Sequence, residues 1–276
     1  MKKLNTDKKN FFHDLKIFLK KRFEEDSSSI DIEVKSILKN VIDRGDDALF
    51  EYAKKFDNSL IDSSNILLPT SLKKTYFDKI DYEVLKSFKK AIENIKNFHS
   101  KQIPNDYEIL KDGVKTSSVW KPIESVGLYI PGGSAVYPSS LIMNVIPAKI
   151  AGVKRIVIVT PVQSDKINPY ILALIDELDI NEVYQIGGAH SIAALAYGTN
   201  TIEPVNKIFG PGNAYVASAK KQVFGKVGID LIAGPSEIVV VADNNNNPEW
   251  VASDLIAQAE HDERAQSILI TNCKNF

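Results

Sequence analysis

Cysteine is almost missing. Cys273 stands alone among 276 residues, which excludes an intrachain disulfide and any zinc or iron–sulfur site built from several thiolates. No apolar run approaches the roughly 18 residues that a membrane-spanning helix needs. The opening stretch, Met1-Lys-Lys-Leu-Asn-Thr-Asp-Lys-Lys-Asn, has basic residues without a following apolar segment, so no secretory signal is expected. Neither sign of charge dominates: 34 Lys+Arg face 35 Asp+Glu, a formal net charge of -1. Nothing therefore favours nucleic acid or an anionic membrane as partner. The expectation is a soluble cytoplasmic protein with neither partner. Hydrophobic residues at 44% and charged residues at 25% are globular values and argue against disorder.

Glycine is scarce in the first hundred residues, which hold Gly45 alone, whereas 127–234 hold twelve of the fourteen. The first hundred also carry 37 of the 69 charged side chains. Two different pieces are joined near 105–125. The first reads as helical. Val34, Ile37, Leu38, Val41 and Ile42 follow the spacing of one buried helix face. Gly45 ends that helix, and Asp46 is placed to cap a second one bearing Leu49, Phe50, Ala53 and Phe56. A third stripe runs Leu85, Phe88, Ile92 and Ile95, closed by Phe98 or His99, and His99 is expected as a partly buried face residue. Residues 1–25 read as a basic helical arm.

The second piece alternates short β-branched runs with helical stretches. Strands are expected at Ser125–Ile130, Arg155–Thr160, Glu182–Ile186, Val205–Phe209, Ile229–Ile232, Glu237–Ala242 and Ser267–Thr271. Helices are expected at Ile142–Ala151, Pro169–Leu178, Ser191–Tyr197, Ala214–Phe224 and Trp250–Glu260. Continuous apolar strands separated by helices mean a parallel sheet covered on both faces. Such sheets bind ligands outside the carboxyl ends of their strands. The polar tract Asn244–Asn247 reads as a loop.

Three strand-to-helix turns are glycine-rich: Pro131-Gly132-Gly133-Ser134, Gly187-Gly188-Ala189-His190 and Gly210-Pro211-Gly212-Asn213. Either they bring backbone N–H groups to a pyrophosphate, or they merely make tight turns. None has the spaced glycines of the dinucleotide fingerprint, and no phosphate-loop Gly-Lys-Ser/Thr element is present. Farther along, Gln258 and His261 lie three apart on one helix and so share a face. Imidazole and carboxamide are both possible metal ligands, but two do not complete a zinc site. On spacing alone, such a pair is more often a hydrogen-bonded surface pair or a cation at a helix C-terminus than a metal site.

Five segments, in order, carry a resemblance. Val126-Gly-Leu-Tyr-Ile-Pro-Gly-Gly-Ser134, Tyr137-Pro-Ser-Ser140 with Asn144 and Pro147-Ala-Lys149, Lys207-Ile-Phe-Gly-Pro-Gly-Asn213, Ala233-Gly-Pro-Ser-Glu237 and Ala257-Gln-Ala-Glu-His261 closely resemble the histidinol dehydrogenase family. The resemblance implies a zinc-dependent, NAD-linked oxidoreductase that takes L-histidinol through L-histidinaldehyde to L-histidine with two NAD. It implies an α/β fold of two incomplete Rossmann-like domains with parallel sheets, preceded by a helical N-terminal arm. The arm would be 1–25, the first domain 26–127 plus 235–276, and the NAD-binding domain 128–234. It further implies a homodimer with a swapped C-terminal segment. By motif position, Tyr129, His190 and Asn213 would contact NAD and Ser236 the substrate. Gln258 and His261 would contact both substrate and zinc, facing the turns across a cleft.

Two departures accompany the resemblance. His190 stands where the family usually has Gln. It reads either as a working substitute, since imidazole also donates and accepts hydrogen bonds, or as tolerated surface variation. The second departure is that the family's Glu-His acid/base pair and two further zinc ligands, an Asp and a His, are expected downstream of Phe276. The chain is therefore expected to be a fragment without its catalytic residues and without measurable histidinol oxidation. The alternative is a short, non-catalytic nucleotide-binding protein derived from that fold. A thiolate-rich alcohol dehydrogenase is disfavoured by the single cysteine.

Overall fold

The computed structural model describes residues 3–24, 27–69, 71–72, 76, 78–132, 137–162, 167–232, 236–260 and 265–274. It divides into two compact units, Met1–Ile232 and Ala233–Phe276. The first opens with α1 (Phe11–Glu24), α2 (Ser27–Arg44), α3 (Asp46–Asp57) and α4 (Tyr82–His99). Val34, Ile37, Leu38 and Val41 are buried along α2 as their spacing predicts. Ile42, expected with them, is 50% exposed, because it sits at the edge of the apolar arc. Asp46 does not cap α3. Gly45 holds the cap position without a side-chain bond, and the Asp46 carboxylate instead accepts the Thr201 hydroxyl at 2.9 Å. The Asp81 side chain caps α4 by accepting the Glu83 N–H. At the other end of α4, half-buried His99 places Nδ1 2.6 Å from Gln102 Oε1.

An antiparallel hairpin that the apolar runs did not announce follows: β1 (Tyr107–Lys111) and β2 (Val114–Ser118). Its two-residue loop, Asp112 and Gly113, has φ of 51° and 78°. Positive φ at both positions is what the favoured type I′ hairpin turn demands.

The rest of the first unit alternates strand and helix. In order come β3 (Ser125–Tyr129), α5 (Pro138–Ile150), β4 (Arg155–Val159), α6 (Pro169–Glu177), β5 (Glu182–Tyr184), α7 (Gly188–Tyr197), β6 (Lys207–Phe209), α8 (Ala214–Val223) and β7 (Gly228–Ile229). The strands pair parallel in the order β5-β4-β3-β6-β7. Alternation along each strand divides the core between two faces. Val126, Leu128 and Ile158 pack with α4, α5 and α6 on one side. Tyr129, Val157, Val159 and Ile208 pack with α2, α3, α7 and α8 on the other. This is the expected α/β, Rossmann-like architecture behind a helical N-terminal region.

The amino ends of the strands are held by Arg155 at the start of β4. Its guanidinium donates to Glu182 Oε1 at 2.9 Å and Oε2 at 2.8 Å. It also donates to the Pro204 and Glu203 carbonyls at 3.0 and 3.1 Å. The second unit is a single βαβ crossover: β8 (Glu237–Ala242), α9 (Pro248–Ala259) and β9 (Gln266–Thr271), with β8 and β9 parallel. Asn247, last of the polar tract, caps α9 by accepting the Glu249 N–H at 2.9 Å. Pro248 occupies the first helical turn, where its missing N–H costs nothing.

Candidate functional site

The strand order reverses at β3. The chain runs outward through β4 and β5, then returns to place β6 on the other side of β3. The carboxyl ends of β3 and β6 are thus neighbours whose following segments diverge, which is where open α/β sheets form their ligand crevice. Tyr129 ends β3, and Gly210-Pro211-Gly212-Asn213 leaves β6.

Tyr129 is 4% exposed, and its hydroxyl accepts the Gly188 N–H at 3.2 Å. Burial pushes the phenol up to about 12, the Gly188 N–H working against the shift and the Asp57 charge adding to it. At neutral pH it is therefore a protonated hydroxyl with one O–H left to donate. Asp57 closes α3 and accepts the Gly187 N–H, while burial raises its carboxyl to about 6. Its Oδ2 is buried with no hydrogen-bond partner among the described residues.

The first two amides at the start of α7 are thus already engaged by Asp57 and Tyr129. In the third turn the Gly210 N–H is taken by Asp230 Oδ2 at 2.9 Å. The Gly187, Gly188 and Gly210 amides are therefore held by the protein's own side chains rather than offered to a pyrophosphate. Packing against the protein's own atoms explains the glycines. A Cβ on Gly210, at φ +111°, would lie 2.2 Å from the Tyr129 carbonyl oxygen. One on Gly187 would lie 2.5 Å from Pro161 Cβ, and one on Gly132 2.8 Å from the Pro161 carbonyl oxygen. Gly133 and Ser134 lie outside the described residues.

Asn213 is exposed and caps α8, its Oδ1 accepting the Val216 N–H at 3.1 Å. The rest of its carboxamide is uncommitted among the described residues. His190 is 1% exposed and packs against the rings of Tyr52 and Phe56, with centroids 5.7 and 6.2 Å away. That burial overturns surface variation as the reading of this position. Neither ring nitrogen has a partner among the described residues, and burial drives the imidazole down to about 3. It is neutral, with one N–H and one lone-pair nitrogen unsatisfied.

The remaining site residues belong to the second unit. Ser236 is exposed just before β8, and Gln258 is half-buried in the last turn of α9. His261 lies outside the described residues. Among the described residues, no group of three or more His, Cys, Asp or Glu could hold a metal ion. No described helix is long and apolar enough to cross a membrane.

Three residues near the switch point escape the sequence patterns: Asp57, Lys220 and Asp230. Lys220 is only 3% exposed. It lies between Ala219 and Val223 on a helix face that also carries Val216. A lysine inside an apolar stripe is the signal that could have marked it.

A family model described as histidinol dehydrogenase matches residues 20–276. Histidinol dehydrogenase of Listeria innocua is 51% identical over 259 residues, covering 92% of this chain and 60% of the relative. That of Rhizobium meliloti is 48% identical over 276 residues, covering 99% and 63%. The crystal structure of histidinol dehydrogenase from Elizabethkingia anophelis superposes with a TM-score of 0.84 at 38% identity, covering 91% of this chain and 58% of that one. The chain thus spans about 60% of the length of these relatives. With a family match across nearly its whole length and a shared fold at this identity, the chain belongs to the histidinol dehydrogenase family.

Proposed function

We propose that this chain supplies the NAD-binding part of a zinc-dependent oxidoreductase that converts L-histidinol through L-histidinaldehyde to L-histidine, using two NAD. The observation that carries the reading is the meeting of Tyr129 and the Asn213 turn at the carboxyl ends of β3 and β6, the sheet's switch point. The donor set suits a dinucleotide: a protonated phenol on Tyr129, and, among the described residues, an uncommitted carboxamide nitrogen on Asn213 and a neutral imidazole on His190 with both nitrogens unmatched. His190 lies inside the core against Tyr52 and Phe56, so its support for the reading is its unmatched imidazole rather than an open surface.

NAD, if bound at the switch point, would supply a hydride acceptor, and a metal held by Gln258 and His261 would supply a Lewis-acid template for the substrate. Ser236, Gln258 and His261 are the proposed substrate residues, with Gln258 and His261 also ligating zinc. Two such ligands do not hold the ion alone, so no chemical step is derived through it. The further zinc ligands and the Glu-His acid/base pair are proposed to lie in the length by which the relatives exceed this chain. The partition into 26–127 plus 235–276 and 128–234, the arm at 1–25, the swapped homodimer and the cytoplasmic location belong to the same reading.

Calorimetric titration tests it. The 276-residue chain is expected to bind NAD, and Tyr129→Phe and Asn213→Ala to weaken that binding, while histidinol yields no NADH. Absence of NAD binding refutes the cofactor assignment. Chelator-sensitive NADH formation by this chain alone refutes the assignment of the acid/base pair elsewhere.

A further inference from the structure

A lysine that is only 3% exposed is costly to bury unless its ammonium is paired and hydrogen-bonded. Lys220 meets both conditions at one place. Its Nζ donates to the Gly210 carbonyl at 2.9 Å and forms an ion pair with Asp230. Asp230 in turn accepts the Gly210 N–H on Oδ2 at 2.9 Å and the Leu231 N–H on Oδ1 at 2.6 Å. Gly210 is therefore gripped by both its N–H and its C=O, through two side chains bonded to each other.

Sheet formation does not require this arrangement, because β6 ends at Phe209. Nor is stability a sufficient reason, since well-packed apolar residues commonly replace a buried ion pair without loss. What the pair does fix is direction. Gly210, pressed against the Tyr129 carbonyl, is the residue from which the backbone departs toward Asn213.

We propose that Lys220 and Asp230 are positioning residues of the cofactor site, setting the Gly210 peptide so that the Asn213 carboxamide stands where a dinucleotide meets it. This inference rests on the NAD reading above. Without the pair, Gly210 loses both tethers and the turn samples other orientations.

Calorimetric titration of the 276-residue chain with NAD, together with amide hydrogen exchange, provides the test. Lys220→Met is expected to weaken NAD about tenfold, the scale of one lost charge-assisted hydrogen bond. It should also speed exchange at Gly210 and leave Gly188 unchanged. Lys220→Arg, which keeps charge and donors, is expected to restore affinity to within about threefold. Should Lys220→Met not fold, Asp230→Asn carries the same expectation for affinity, since it keeps an oxygen but loses the pair. Equal NAD affinity in the parent and the variant that folds overturns the inference and leaves the cofactor reading standing. Weakened binding that arginine does not restore marks a merely structural role and also overturns it. A parent chain that does not bind NAD overturns the cofactor reading and this inference with it.

Discussion

The Tyr129 hydroxyl accepts the Gly188 N–H at 3.2 Å, so the last residue of β3 also serves as a cap for α7. The capped amide lies at a helix start, where backbone donors otherwise lack intrahelical partners. Tyr129→Phe deletes the acceptor and leaves the ring. It is expected to lower stability by about 1–2 kcal/mol in urea unfolding and to weaken NAD. An unchanged midpoint would mean that solvent satisfies Gly188 equally well.

Asp57 and His190 respond to acid in opposite senses. Asp57 is raised from 3.8 to about 6. Its contribution is fully present below 3.8 and is lost as pH rises through 6. His190 is lowered from 6.5 to about 3. Its contribution is present above 6.5 and is lost as pH falls toward 3, at up to about 1.4 kcal/mol per pH unit. Between about 4 and 6 the two slopes oppose each other. Asp57→Asn is therefore expected to lose stability on acidification more steeply than the parent, and His190→Gln less steeply. Urea melts of all three proteins at pH 4, 5 and 6 check the signs, and parallel curves would refute both assignments.

Gly210 tolerates no side chain. Alanine there would combine positive φ with a Cβ 2.2 Å from the Tyr129 carbonyl oxygen, an atom that cannot yield without moving β3. Gly210→Ala is expected to cost more than about 3 kcal/mol, the range reserved for strained or overpacked sites. Gly225→Ala, at φ +100° but with open space around it, should cost about 1 kcal/mol. Thermal melts of the pair separate collision from backbone strain, and equal losses would mean that the collision relaxes cheaply.

Arg155→Met should behave differently from every variant at the switch point. It removes hydrogen bonds to Glu182, Glu203 and Pro204, and a loss of about 1–3 kcal/mol is expected. NAD affinity should not change, because Arg155 begins β4 at the opposite end of the strands. A fall in affinity together with stability would contradict that separation.

The succession of strands and helices was legible because parallel strands buried on both faces must be apolar throughout. Arg155–Val159 displays that pattern locally, whereas Glu237–Ala242 is as apolar but exposes alternate residues. Strand ends were less legible: Leu231 and Ile232 look like strand residues but are 60% and 56% exposed. The hairpin had its signal in Asp112-Gly113, yet its flanking strands are almost wholly exposed and carry no alternating apolar face. Tyr129 and Asn213 were singled out through family motifs, and the structure puts the ends of β3 and β6 that bear them side by side. The roles of Asp57, Lys220 and Asp230 depend on partners distant in the chain, which local patterns do not encode. His190 illustrates the same limit, since its burial comes from Tyr52 and Phe56, more than a hundred positions earlier.

The Arg155 fork lies at the blunt end of the sheet, whereas Tyr129, Gly210 and Asn213 crowd the opposite rim. The side chains that brace the sheet and those proposed to meet a cofactor thus stand at opposite ends of the same strands, so a substitution that hardens the base has no direct contact through which to disturb the rim.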